Sequence, residues 1–231
     1  MKIKAENITI DWEWVEKHVS ERERLGKINA GDTRESVLKH LKEALAIARL
    51  KAVPAVTFIK KPILTSCASS LTIDGGIMLS SKELSAHLKG SSCIYAFAVT
   101  IGKSVEDTAS RYMTKDDHLL GYFLDRIGSF AVESMAKNME DNLRNKLASE
   151  GLSVSMRFSP GYCDWPIEEQ FKLSKIIDFS AIGITLTESC MMTPKKSISA
   201  VVGAGPKELF SKVKSPCEVC NMRTCDYRRK S

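Results

Sequence analysis

The chain has 231 residues, 43% of them hydrophobic and 27% charged, with a formal net charge of +6. Length and composition predict one globular core, and no apolar run approaches the roughly eighteen residues that span a bilayer. Basic residues are interspersed with acidic ones, so neither a membrane protein nor a charge-driven nucleic-acid-binding protein is indicated, and the polar start predicts a cytoplasmic chain.

The N-terminal part of the chain carries strand and helix signals in turn. Residues 2–10 alternate weakly, which predicts an edge strand, and the aromatic residues that follow fit either a strand or a turn of helix. A capping-box pattern at residues 32–35 precedes apolar residues at helical spacing. This predicts a helix that ends before Pro54, followed by a strand over residues 56–59.

A hairpin and a buried strand come next. Asp74, Gly75 and Gly76 lie between two short strand-like runs, which is typical of a tight turn between antiparallel strands. Ser81 is suited to cap a short helix that ends near Gly90. Residues 93–101 are apolar and partly β-branched, so they predict a central strand.

Residues 117–150 form the longest segment with helical periodicity. Asp117 is suited to cap its start, and Gly151 lies where a helix would end. At about 1.5 Å per residue the helix would be roughly 50 Å long. A single helix and a helix kinked near Gly128 therefore both remain open.

Three further strands are predicted over residues 154–158, 184–187 and 197–202. Hairpins mixed with helices, without regular strand and helix alternation, predict an α+β fold. We expect a twisted, mainly antiparallel sheet packed with helices, one of them long. Residues 1–210 would form this single domain, and residues 211–231 a basic, cysteine-containing tail.

The segment after the strand at 154–158 has the composition of an anion pocket. Arg157 ends the strand, and Pro160 and Gly161 form a turn just before Tyr162. A guanidinium suits a carboxylate or phosphate, and a glycine lets backbone amides approach a ligand. Asp164 then stands where it could cap a helix beginning at Trp165. A surface arginine beside an ordinary turn is the alternative interpretation.

Two motifs in this order resemble the activation domain of cobalamin-dependent methionine synthase. The first is Arg157-x-x-x-Gly161-Tyr162, and the second is Leu186-Thr187-Glu188-Ser189 followed by Met192-Thr193-Pro194. The resemblance is dense over about residues 120–203. It implies a methionine synthase activation domain-like fold, here in a stand-alone form.

The resemblance also implies a ligand. In that family the first motif binds S-adenosylmethionine, so Arg157 would take the ligand's carboxylate, residues 160–163 would supply backbone contacts and Tyr162 would pack on the ligand. The site would thus comprise these and the second-motif residues: Arg157, Pro160, Gly161, Tyr162, Cys163, Glu188 and Ser189. In the large family members, acidic residues before the arginine help to hold the ligand. The nearest helical acids here are Glu133 and Glu150.

The role implied for such a chain is accessory. A partner methionine synthase subunit would supply cobalamin, and an electron donor such as flavodoxin or ferredoxin would reduce its cobalt before S-adenosylmethionine donates a methyl group. Cobalt is the nucleophile, so no catalytic residue is named. A pattern that gives cobalt a histidine in some cobalamin proteins, Asp116-x-His118-x-x-Gly121, follows a polar segment, so Asp117 is better explained as a helix cap.

The seven cysteines include three close together in the tail, Cys217, Cys220 and Cys225. A pair spaced by two residues is a usual chelate of zinc or an iron-sulfur cluster, but three thiols are not a complete set of four ligands. A metal site and a flexible tail with free thiols remain open alternatives. With a metal, the chain could instead be a redox accessory protein of corrinoid metabolism.

Overall fold

A computed structural model describes residues 7–27, 31–115 and 117–210. Its α-helices are α1 Trp12–Arg22, α2 Asp32–Lys51, α3 Lys82–His87, α4 Ser104–Thr114, α5 His118–Ala148 and α6 Gln170–Ile176. Its strands are β1 Ala55–Ser66, β2 Ser70–Ile73, β3 Ile77–Ser80, β4 Cys93–Thr100, β5 Leu152–Val154, β6 Thr185–Leu186, β7 Met192–Thr193 and β8 Ser197–Pro206. A short 3-10 helix, Ile167–Glu169, precedes α6.

Six strands form one antiparallel sheet in the order β3-β2-β1-β4-β8-β5. Strand β4 lies between β1 and β8, and all of its residues pair with β8, with Phe97 opposite Ala200. Strands β6 and β7 pair separately as a small hairpin. The structure therefore confirms the predicted α+β fold with a mainly antiparallel sheet.

Each face of the sheet carries its own hydrophobic cluster. Because side chains alternate along a strand, Tyr95, Phe97 and Val99 of β4 pack with helices α1, α2, α4 and α5. Ile94 and Ala96, on the other face, pack with Trp165 and the apolar residues of α3 and α6. In the segment between β5 and α6, Met156, Phe158 and Trp165 therefore pack on the face opposite the long helix, whereas Arg157 is directed to α5.

Helix α5 is one continuous helix of 31 residues. Its N-cap is Asp117, whose side chain accepts a hydrogen bond from the backbone N–H of Leu120 at 3.2 Å, as predicted. Gly121 lets α4 pack closely, since a Cβ atom there would lie 2.7 Å from Cγ of Met113. Of the two predicted alternatives, the structure therefore has the single unbroken helix and not the helix kinked near Gly128.

Several predicted boundaries are wrong. Residues 8–10 lie outside any strand, and α1 begins directly after them; residues 2–6 lie outside the described part. The N-cap residue of α2 is Gly31, one position before the predicted capping box. Strand β1 is much longer than residues 56–59, whereas β5 ends at Val154 because only Phe158 rejoins the sheet, by a bridge to Val201.

Helix α4 was not predicted, although its buried residues Val105, Thr108 and Ala109 lie at helical spacing. Of the described helices, none has the length and hydropathy that a membrane span requires.

Candidate functional site

The turn after Arg157 is held by backbone hydrogen bonds. Phe158 and Val201 exchange two N–H to carbonyl bonds of 2.8 Å, which fixes the start of the turn against β8. Gly161 has a φ of 89°, a left-handed conformation that favours glycine, and its N–H donates to the carbonyl of Trp165 at 2.8 Å. Tyr162 donates to the carbonyl of Ser159 at 3.0 Å. The predicted turn is thus present and compact.

Arg157 is buried beneath this turn, with 5% of its surface exposed. Its Nη2 pairs with Oε1 of Glu133, and its Nη1 lies 3.2 Å from Oε1 of Glu140. Both acids come from α5, about two turns apart on one face of the helix. Burial lowers the pKa of Arg157, but the carboxylates of Glu133 and Glu140 more than offset this, so the pKa lies above its ordinary value.

The contact with Glu140 differs from the contact with Glu133. Glu133 accepts a hydrogen bond from the guanidinium, whereas Nη1 is buried and has no hydrogen-bond partner among the described residues. The approach to Glu140 is therefore an ion pair without hydrogen-bond geometry. One of the two helical acids noted in the sequence, Glu133, reaches the arginine, and Glu140 does so without having been anticipated.

A cavity of about 240 Å³ lies beside the turn. It is bounded by the turn itself, the start of α6, the β6–β7 hairpin and the start of β8. Lys195 is the one charged residue in its lining, which contains no acid. The lining residues are Ser159, Pro160, Tyr162, Ile167, Gln170, Cys190, Met191, Met192, Lys195, Ser197, Ile198 and Ser199.

The predicted site residues divide into two groups. Pro160 and Tyr162 line the cavity, while Arg157, Gly161 and Cys163 belong to the same turn without lining it. Glu188 and Ser189 are exposed and also lie outside the lining. The second motif instead contributes to the cavity through the residues that follow them, positions 190–192.

Residues that sequence reasoning did not select complete the lining. Gln170 and Ser199 are both 2% exposed and hydrogen-bond each other, although they are far apart in the sequence. Lys195 lies within the hairpin-to-β8 connection. A glutamine early in a helix and a serine in a strand carry no local signal of a shared site, so only their proximity identifies them.

Asp164 has a different role from the predicted one. It does not cap the helix that follows it; its carboxylate accepts hydrogen bonds at the start of α3, from Ser81 Oγ at 2.5 Å and the backbone N–H groups of Lys82 and Glu83 at 2.8 and 3.2 Å. Burial raises the pKa of Asp164, but these hydrogen bonds outweigh it and leave that pKa below its ordinary value. Asp164 therefore ties the turn to α3.

A second cavity, of about 310 Å³, lies between α6 and residues 178–186. Phe171, Phe179 and Ile184 form much of its wall. Its one carboxylate, Asp178, accepts hydrogen bonds from Ser180 Oγ and the backbone N–H of Ala181. Because that acid serves a local turn and no predicted residue lines this cavity, we place the candidate site at the smaller one.

The sequence profile of the family described as "Vitamin B12 dependent methionine synthase, activation domain" matches residues 84–230, well over half of the chain. The chain belongs to this family. The matched region includes both motifs and the whole cavity lining. Among curated proteins, no sequence relative was found.

The fold agrees with that membership. A solved structure described as "Crystal Structure of the MetH Reactivation Domain bound to AdoHcy" aligns with a TM-score of 0.61 at 17% identity. The alignment covers 87% of this chain and 75% of that chain. The methionine synthase activation domain-like fold predicted from the two motifs is thus confirmed.

No group of three or more histidine, cysteine or acidic side chains is arranged to hold a metal within residues 7–27, 31–115 and 117–210. The cysteines for which a metal site and a tail with free thiols were open alternatives, Cys217, Cys220 and Cys225, lie outside these ranges.

Proposed function

We propose that this activation-domain chain binds S-adenosylmethionine beside the Arg157-x-x-x-Gly161-Tyr162 turn and thereby supports the reductive methylation of cobalamin in a partner methionine synthase. The observation that carries the proposal is the cavity itself, which opens at the family's ligand motif and is lined by Tyr162 and Pro160. At about 240 Å³ it is smaller than the roughly 300–1,000 Å³ of typical small-molecule pockets, so it would take part of the ligand and leave the remainder exposed.

Arg157 and the acids of α5 suit the amino-acid end of the ligand. The guanidinium already pairs with Glu133, and its Nη1 has unused hydrogen-bonding capacity because the Glu140 contact lacks the required geometry. A ligand carboxylate would displace Glu140 from Nη1 through a small shift of the turn. The displaced carboxylate would then lie close enough to receive the ligand's ammonium group, so charges stay balanced in the buried site.

The turn after Arg157 and the β6–β7 hairpin would contact the remainder of the ligand. Tyr162 is 37% exposed and Met191 is 55% exposed, so both present apolar surface at the mouth of the cavity. Backbone groups of residues 160–163, including Gly161 with its left-handed φ, would approach the ligand closely. The exposed Glu188 and Ser189 lie in the adjacent hairpin turn, where they could reach a ligand or partner that extends beyond the cavity.

Once an electron donor such as flavodoxin or ferredoxin has reduced the cobalt of the partner's cobalamin, S-adenosylmethionine would supply its methyl group to that cobalt. The methyl–sulfur bond would break, and S-adenosylhomocysteine would leave. The part played by this chain would be to orient the methyl donor and to exclude water around it. Neither task needs a side chain that gives or takes a proton.

Calorimetry with S-adenosylmethionine tests ligand binding. We expect the wild-type chain to bind and Tyr162→Ala to weaken binding about tenfold, because an aromatic side chain that packs on a base contributes roughly 1–3 kcal/mol. Tyr122→Ala is a matched control, since Tyr122 has a similar exposure of 40% but lies on α5 away from the cavity. No binding by the wild-type chain would refute the proposal.

A second assay tests the accessory role. With a partner synthase whose cobalamin has been inactivated by oxidation, recovery of methionine synthesis should require this chain, S-adenosylmethionine and a reductant together. Recovery without the chain would contradict the assignment.

The division into a domain of residues 1–210 and a tail of residues 211–231 also remains our proposal, as does a zinc or iron-sulfur site at Cys217, Cys220 and Cys225. No contact within the described part of the chain favours the alternative of a redox accessory protein. Metal analysis and visible absorption of the anaerobically purified chain test both points.

A further inference from the structure

The mouth of the cavity carries one charge. Lys195 lies between β7 and β8, lines the cavity and is exposed. Its backbone N–H donates to Oε2 of Glu106, on α4, at 2.7 Å, and the carbonyl of the preceding Pro194 accepts a 2.7 Å hydrogen bond from Ser197 Oγ. The ammonium group therefore extends from a backbone that is fixed to α4 and β8.

No carboxylate lies beside this charge in the lining. Glu106, which holds the backbone of Lys195, and the exposed Glu188 both lie outside the lining. The acids of α5 pair with Arg157 instead. Among the residues that the structure describes, none forms a hydrogen bond or an ion pair with the ammonium group of Lys195. The cavity therefore presents a net positive charge to a ligand.

The proposed reaction places the sulfur of the ligand at this mouth. The partner would carry the cobalt, so the methyl group has to face outward from the cavity of this chain. The sulfur atom that holds the methyl group would then sit at the rim, where Lys195 is. That sulfur carries a positive charge only while the methyl group is attached, because its loss leaves an uncharged thioether.

We infer that Lys195 makes the site favour the uncharged sulfur of S-adenosylhomocysteine over the sulfonium of S-adenosylmethionine. Two positive charges about 7 Å apart repel enough to change a dissociation constant about threefold at the dielectric constant of water, and more in a partly enclosed mouth. The inference rests on the proposed function and deepens it, since it assigns the discrimination between the two forms of the ligand to one side chain.

The same repulsion would assist the transfer of the methyl group. When the methyl–sulfur bond breaks, its electron pair stays on sulfur, and the reduced cobalt of the partner supplies the electron pair of the new bond to carbon. The positive charge on sulfur thus disappears as the reaction proceeds. An interaction that disfavours the bound substrate more than the transition state raises the rate of the bound complex. Lys195 would act through its charge alone and would neither give nor take a proton.

Calorimetry on the full chain with each of the two compounds measures this discrimination. The selectivity ratio is the dissociation constant of S-adenosylmethionine divided by that of S-adenosylhomocysteine. Lys195→Met, which nearly keeps the length of the side chain and removes its charge, should lower the ratio about threefold to tenfold. Lys195→Arg should retain the wild-type ratio. Lys175→Met, which removes an exposed lysine of α6 outside the cavity lining, is the matched control and should retain it too.

A salt series on the wild-type chain tests the role of charge without a substitution. At about 1 M salt the Debye length is about 3 Å, so the wild-type ratio should fall toward that of Lys195→Met. Because Lys175→Met and the salt series do not alter the lining, neither result depends on the stability of a variant at the site.

The outcomes separate this inference from the proposed function. If Lys195→Met keeps the wild-type ratio, another group discriminates between the compounds and the inference is wrong, although the proposed ligand class stands. If Lys195→Arg lowers the ratio as much as Lys195→Met does, or if salt leaves the wild-type ratio unchanged, charge is not responsible and the inference is also wrong. If neither compound binds the wild-type chain, the inference and the proposed function fail together.

Discussion

Replacement of Arg157 by methionine tests whether the buried ion pairs hold the turn on α5. At an effective dielectric constant of about 20, the 3.2 Å contact between Nη1 and Glu140 corresponds to an attraction of about 5 kcal/mol. Desolvation offsets much of this, yet removal of one partner of a buried ion pair typically costs about 3–5 kcal/mol because an unpaired charge stays behind. The side chains of Glu133 and Glu140 are 24% and 19% exposed, so water would stabilise them partly. We expect Arg157→Met to lower the free energy of unfolding by about 2–4 kcal/mol.

The assay is urea unfolding followed by circular dichroism. The slope of the free energy of unfolding against urea concentration should be the same for the wild-type chain and each variant. Arg111→Met, at an exposed position of α4, is the matched control and should change stability by no more than about 0.5 kcal/mol. Glu140→Gln should cost less than about 1 kcal/mol, because Arg157 keeps its hydrogen bond to Glu133. A cost below about 1 kcal/mol for Arg157→Met, or an equal cost for Glu140→Gln, would refute this account of the network.

Two further predictions concern the fold around the site. Asp164→Asn should lower the free energy of unfolding by about 1 kcal/mol at pH 7, since the carboxylate of Asp164 accepts hydrogen bonds from the first backbone N–H groups of α3, whose N-cap is Ser81. Folding lowers the pKa of Asp164, so the stability that its carboxylate contributes is present above the unfolded-state pKa of about 3.9 and is lost as the pH falls through the folded-state pKa. Unfolding measured as a function of pH tests this. A stability difference between the wild-type chain and Asp164→Asn that was the same at pH 3 as at pH 7 would contradict it. Gly121→Ala should cost about 1–3 kcal/mol, because the new Cβ would lie 2.7 Å from Met113 Cγ and 2.9 Å from the carbonyl oxygen of Ala109. Gly26→Ala is the control, because a Cβ atom at that position would have no other atom within 4 Å, and it should leave the melting temperature nearly unchanged. Equal melting temperatures for Gly121→Ala and Gly26→Ala in thermal unfolding would contradict the prediction.

Local rules allowed much of the fold to be predicted from the sequence. The periodicity of α5, its cap at Asp117 and the hairpin turn at residues 74–76 follow from backbone preferences of neighbouring residues, and all three are present in the structure. The Arg157 motif was recognised by its resemblance to the family, because its residues lie within six positions of one another, although β5 ends at Val154 and not at Arg157. Helix α4 was missed although its buried residues Val105, Thr108 and Ala109 recur at helical spacing, and these residues face α5.

The candidate site itself was decided by tertiary structure. Arg157 meets Glu133 and Glu140 because β5 returns alongside α5, and Gln170 meets Ser199 because α6 packs over the strand that contains Ser199. Asp164 accepts a hydrogen bond from Ser81 at the start of α3, although the two residues are 83 positions apart in the sequence. Sequence alone specifies where the chain turns and which side of each element is apolar. Which polar groups then face one another depends on strand order and helix placement, and those arise from long-range packing that no local pattern encodes.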